Sequence, residues 1–357
     1  MYNLSISFNY VCRKSKIMKI YLFTLFLGLS FLSNAQFTTI VDANFEQALI
    51  NLGYDNILDS SVLTSNVDTI TFLDVSYQNI SNLSGIEGFS SLKYLNCSNN
   101  SIDSLNLNQN VLLKELYCSS NEMVVLLIDN LGDLDLLDCS FNSLTILDLS
   151  QNLELDSLEC SSNQLNTIEV NTNLGYLYCG DNNLTSLDLS SLIFNGLHEL
   201  RCENNSITSI NLSNNSNLKH LTCHNNLLQE IDLTSNYNLQ WLSIGNNALF
   251  PNNNNLTNLD LSFNCDIENF YSSGNLNLYC IQVCDTIDAN SWISNVDPQM
   301  YYSVNCNISG LDHISPTKGK LSSIKDIYGR ESFKKTNSLL FFLYQDGGVE
   351  KRIFLDK

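Results

Sequence analysis

Residues 112–123 read LLKELYCSSNEM and carry the spacing L-x-x-L-x-C-x-x-N-x-M on Leu113, Leu116, Cys118, Asn121 and Met123. Twenty-one residues beyond Cys118 stands Cys139, and twenty-one further Cys160. Cys179, Cys202, Cys223 and Ile244 continue the series at steps of 19, 23, 21 and 21, and Cys97 and Val75 extend it backwards. Three residues after these places comes an asparagine: Asn100, Asn121, Asn142, Asn163, Asn182, Asn205, Asn226 and Asn247. The Val75 rung has Gln78 instead. A repeat of this length is the signature of a solenoid.

Leu116 and Cys118 are two apart, so on a strand they share one side while Tyr117 takes the other. The chain then turns at Asn121. Its amide is placed to satisfy backbone groups of its own bend and of the next coil, where an unpaired buried group costs about 1–3 kcal/mol. Met123, Leu126, Ile128, Leu131 and Leu134 supply apolar contacts on the return arm. One coil buries little alone, so each must pack on its neighbours.

This spacing resembles the leucine-rich repeat. The resemblance implies an α/β solenoid of about ten coils, from the Val75 rung to a last rung at Phe270, Ser272 and Asn275, with a parallel sheet on the concave side. From Leu73, "LDVSYQNISNLSGIEGFSSLKYLNCSNN" is similar to the first turn of internalin-like repeats, with Ile80, Leu83, Ile86, Phe89, Leu92 and Leu95 at threes. Repeats are expected over 73–275. Between Leu249 and Leu259 the insertion "FPNNNNLTN" is expected to bulge outward.

The flanks divide the rest. Residues 1–35 read as a signal peptide: Arg13, Lys14, Lys16 and Lys19 precede an apolar run from Ile20 to Leu32, and "SNA" precedes Gln36. Thirteen apolar residues are too few to span a bilayer. Met18 is an alternative start. Residues 36–72 form an N-terminal cap, in which "DANFEQALINLG" puts Phe45, Ala48, Leu49 and Leu52 on one helical face with Gly53 as the stop. Residues 276–306 leave the period and resemble the closing segment of secreted repeat proteins of the Bacteroidota; with export, a Cys280–Cys306 disulfide is expected.

Residues 307–357 hold nine of the seventeen basic residues. Alternating apolar and polar residues with glycine turns predict a small all-β module. "KDIYGRE" (Lys325 to Glu331) and "LYQDGGVEKRIFL" (Leu343 to Leu355) resemble the type IX secretion system (Por) sorting domain. Upstream, "ISPTKGKL" departs from that family's usual first strand. The resemblance implies transfer across the outer membrane by the type IX machinery, and cleavage of the tail.

Residues 37–306 carry thirty-one acidic residues against Lys93, Lys114, Arg201 and Lys219, a net charge of −27. Such a body repels nucleic acid and anionic lipid. Asp148, Glu169, Asp188, Asp232 and Asp260 recur on the return arm, either as a solvated row or as a loose cation site. Cys97, Cys118, Cys139, Cys160, Cys179, Cys202 and Cys223 face the core. Parallel side chains in register run side by side, so reduced thiols are expected. A straight row cannot hold tetrahedral zinc. Cys265 and Cys284 are left open.

Function, where the repeats encode one, lies on the outward side of the strands. Tyr94, Tyr117, Glu159, Tyr176, Tyr178, Arg201, His220, His224 and Trp241 collect there and suit a protein or glycan ligand. The alternative is a solvated sheet without a ligand. His220 and His224 are about 13 Å apart along a strand and cannot share a metal; each is expected beside a glutamate, Glu199 and Glu203. No nucleophile, metal-protease or phosphate-loop motif is present, so neither a catalytic residue nor a cofactor is assigned. The reading is a secreted or outer-surface binding protein without a transmembrane segment in its mature chain. The alternative is a secreted enzyme, or its recognition part, acting on glycan or peptide.

Overall fold

In the computed structural model, which describes residues 36–192, 196–245, 254–289, 292, 296–306, 321–326, 338–344 and 349–354, each L-x-C step forms a three-residue strand. Residues 1–35 and the glycine turns of the C-terminal segment lie outside the described residues. Two compact units are formed, 1–174 and 175–357, and their boundary falls inside the shortened repeat before Cys179.

In the first unit, β1 (Phe37–Thr39) pairs antiparallel with β2 (Ser61–Leu63), and β3 (Phe72–Asp74), β4 (Tyr94–Asn96), β6 (Glu115–Tyr117), β8 (Leu136–Asp138) and β9 (Ser157–Glu159) pair in parallel. Leu73, Leu95, Leu116, Leu137 and Leu158 share one register line and are buried. In the second, β10 (Tyr176–Tyr178), β11 (Glu199–Arg201), β12 (His220–Thr222), β13 (Trp241–Ser243) and β15 (Asn269–Tyr271) do the same with Leu177, Leu200, Leu221, Leu242 and Phe270. These are ten rungs of a parallel β-solenoid.

The return arms correct the α/β expectation. Apart from a 3-10 turn at Ile86–Gly88, no described residue between 73 and 285 is helical. Apolar residues there alternate, as at Leu105 and Leu107 or Leu126 and Ile128, which is the period of extended chain. Two arms pair as β5 (Ser104–Asn106) and β7 (Val125–Leu127), and Leu187 bridges Ile210. Beyond the regular coils, β14 (Leu259–Leu261), β16 (Cys280–Val283) and β17 (Tyr301–Ser303) form a parallel set.

Asn121 joins two coils. Its Nδ2 donates to Cys97 O (3.0 Å), Cys118 O (3.1 Å) and Ser119 O (3.3 Å), and its Oδ1 accepts from Ile102 N at 3.0 Å. The partner coil is the preceding one, not the next. Asn100, Asn142, Asn163, Asn205 and Asn226 repeat the pattern. The residue before each of these, and before Asn121 and Asn182, sits in the left-handed region, with φ between 52° and 57°. Asn247 lies outside the described residues, and its expected work is done by Asn254. That amide donates to Cys223 O and Ile244 O, both at 2.9 Å, and accepts from Leu228 N at 3.0 Å. Asn275 ends the series on Ile244 O and Ser272 O.

A second asparagine ladder lines the return side. Asn110, Asn152, Asn171, Asn236 and Asn264 each donate to two carbonyls, and all are buried.

Before the first coil, helix α1 (Ala43–Asn51) starts at Asp42, whose Oδ1 accepts from Asn44 N and Phe45 N. Its Oδ2 accepts from Ser81 and Asn82, fastening the helix start to the first coil. Phe45, Ala48 and Leu49 face inward, with the Phe45 ring 6.2 Å from Phe89. After the last coil, Cys265 is bonded to Cys284 and Cys280 to Cys306. Trp292 packs on Phe270 and Tyr302. Strands β18 (Leu321–Asp326), β19 (Ser338–Tyr344) and β20 (Val349–Phe354) form an antiparallel sheet.

The seven ladder cysteines are buried and unbonded. Burial pushes the Cys97 and Cys223 thiols up to about 12 and the Cys118 and Cys202 thiols well above their ordinary range. For the chain from Gln36 onward, a thiol-specific reagent at pH 8 should therefore titrate no thiol in the folded protein and seven after denaturation without reductant. Asn254→Leu strands the Leu228 amide and should lower the unfolding free energy by about 2 kcal/mol, read by urea denaturation.

Candidate functional site

Because the central Leu of each rung, Phe270 in the last, takes the inner side of its strand, the residues immediately before and after it are turned outward. In the first unit these include Phe72, Tyr94 and Tyr117. Phe72 and Tyr94 stand opposite each other in register, their rings 4.3 Å apart and 11° from parallel. Tyr117 follows at 5.4 Å from Tyr94 with a 41° tilt. Around them lie Asp74, Glu115, Asp138 and Glu159. Asp74 and Asp138 use Oδ1 to accept from the amide and hydroxyl of Ser76 and Ser140. Glu159 accepts from Ser161 N, and the Tyr117 hydroxyl donates to Glu115 Oε2 at 3.5 Å. Burial and then the carboxylates Asp74 and Glu115 push the Tyr94 phenol up; burial and Glu115 do the same at Tyr117.

In the second unit the corresponding face carries both charges. Arg201 Nε donates to Glu199 Oε1 at 2.7 Å, and the guanidinium lies 5.1 Å over the Tyr178 ring. His220 Nδ1 is 3.8 Å from Glu199 Oε2. Trp241 lies between His220, at 6.5 Å, and Tyr271, at 5.4 Å. Tyr176 stacks on His198 at 5.8 Å. The structure brings His220 beside Glu199, and the His224 ring nitrogen meets Ser243 Oγ at 3.1 Å. Phe72, Tyr271 and His198 join these arrays although sequence reasoning passed over them. Phe72 and Tyr271 occupy the outward columns of the first and last rungs, so the column rule extended by one rung would have found them.

The return-arm carboxylates do other work. Asp148, Asp188, Asp232 and Asp260 each accept from the amide two residues on, at 2.9 Å, and so cap turns. Those bonds hold the Asp148, Asp188 and Asp232 carboxyls below their usual range. Among the described residues, no three His, Cys, Asp or Glu side chains cluster as a metal site, and no helix is long and apolar enough to cross a membrane.

No protein-family model matches the sequence, and no curated protein does. Among solved structures, the functional domain of InlJ from Listeria monocytogenes, which includes a cysteine ladder, is 26% identical with a TM-score of 0.52, over 76% of this chain and 71% of that one. A leucine-rich repeat protein of Leptospira interrogans is 21% identical at a TM-score of 0.51, covering 67% of this chain and 62% of that one. The leucine-rich repeat domain of APL1B is 16% identical at 0.50, over 75% and 94%. The fold is that of leucine-rich repeat proteins.

Burial holds the His224 imidazole below its ordinary value, with Asp181 pulling the other way. An unfolded histidine then takes a proton that the folded one refuses, so stability is full above about pH 6.5 and falls as the pH drops below it. Thermal melts between pH 7.5 and about pH 5 should show this loss, and His224→Gln should shrink it.

Proposed function

We propose that this chain is a secreted or cell-surface binding protein that recognises an extracellular protein or glycan through the outward face of its strands. The observation that carries the reading is the order of the rings on that face: Phe72, Tyr94 and Tyr117 in one unit, Trp241 and Tyr271 in the other. Folding does not call for rings there, since Ser157 and Asn269 stand in the column of Phe72, Tyr94 and Trp241, and Asp138 and Thr222 in that of Tyr117 and Tyr271. Aromatic side chains give large contact area at small entropic cost, and they recur as anchors of interfaces. Export is supported by the leader-like residues 1–35 and by the likeness of 307–357 to the type IX sorting domain, which would engage that machinery and points to a source in the Bacteroidota. Residues 36–72 and 276–306 serve as end caps in this reading.

A glycan and protein array probed with the chain from Gln36 onward tests it. Hits on the second unit should weaken about tenfold or more in the double variant Tyr178→Ala, Trp241→Ala. Hits that persist unchanged both in that variant and in Tyr94→Ala, Tyr117→Ala would remove the strand face from the proposal.

A further inference from the structure

The strand face of the first unit differs in charge from that of the second. Its outward columns, from Phe72 to Ser161, hold Asp74, Glu115, Asp138 and Glu159 and neither lysine nor arginine. In the second unit Arg201 pairs with Glu199 on the same face. The rings differ as well. At 4.3 Å and 11° from parallel, Phe72 and Tyr94 cover one face of each other, and Tyr117 stands on the other side of Tyr94. A sugar ring stacks its C–H side on an open aromatic face, and this close array gives it little room. Ring edges and the flanks of such an array suit peptide groups and the aliphatic stems of long side chains.

We infer that the strand face of the first unit takes an extended, lysine- or arginine-bearing peptide segment of a partner protein. The aliphatic stems lie along Phe72, Tyr94 and Tyr117, and the cationic heads reach Asp74, Glu115 and Asp138. Opposite charge steers the encounter and rejects acidic competitors. This inference rests on the strand face being a binding surface and narrows what it binds. Because residues 37–306 carry thirty-one acidic and four basic residues, any cation is drawn to the protein, and the test must separate the face from the bulk.

The chain from Gln36 onward is titrated calorimetrically with a synthetic peptide alternating lysine and serine, with a glutamate–serine peptide, and with a neutral oligosaccharide. The basic peptide should bind, and the other two should not bind the first unit. Glu115→Gln with Asp138→Asn should raise its Kd about tenfold, as should Tyr94→Ala. Both polar substitutions keep an acceptor for Tyr117 and Ser140. Asp129→Asn with Asp133→Asn removes the same charge from exposed return-arm positions and should change the Kd by less than about twofold. Equal losses from the two pairs, or no binding of the basic peptide, would overturn the inference. Oligosaccharide binding lost in the Tyr178→Ala, Trp241→Ala variant, with no basic-peptide binding, would sink this inference while leaving the broader binding role intact.

Discussion

The structure depends on one side-chain amide reaching across two coils. A strand of three residues followed by an inward turn leaves carbonyls and amides inside the solenoid, away from water. Neighbouring coils pair much of this backbone with one another, as Cys97 N does with Tyr117 O, but the inward Cys97 and Cys118 carbonyls are met by the Asn121 side chain. Asn121 supplies two donor hydrogens to three carbonyls of two coils and one acceptor to the amide of Ile102. The tight bend that aims it requires a left-handed residue just before it, even where that residue is Phe141, whose φ is 52°. A non-glycine residue there costs roughly 1 kcal/mol or more, and it persists because the ladder fixes the turn.

Once leucine, cysteine and asparagine have met the demands of packing, the outward columns are free to vary. That is why aromatic rings there carry information. The thiols illustrate the reverse case: seven small apolar groups, all buried, act as core atoms and not as reagents. The cysteines outside the regular coils, Cys265 with Cys284 and Cys280 with Cys306, are the bonded ones.

The strand and the first asparagine column are legible in the sequence because a physical demand returns every 21 residues or so. The second ladder was equally periodic, yet Leu131 and Leu192 interrupt it and the abundance of asparagine hides the remainder. The α/β expectation came from family resemblance, whereas the Leu-x-Leu alternation at 105–107 already favoured extended return arms. At the insertion, spacing put Asn247 in the ladder; which of several asparagines closes a turn is settled by the path of the chain, and that path chose Asn254. Ring stacking across rungs depends on rotamers, so the column rule shows that Tyr94 faces solvent but not that it lies against Phe72.

The ladder amides of Asn100, Asn121, Asn142, Asn163, Asn205 and Asn226 reach back to the coil before their own. The Cys97 carbonyl is met by Asn121 and the Cys118 carbonyl by Asn142, so a coil is unsealed until its successor is in place. The final coil has no successor. There Asp297 steps in, both its carboxylate oxygens accepting from Gly274 N at 2.8–2.9 Å, so a residue from outside the repeats finishes what the repeats cannot.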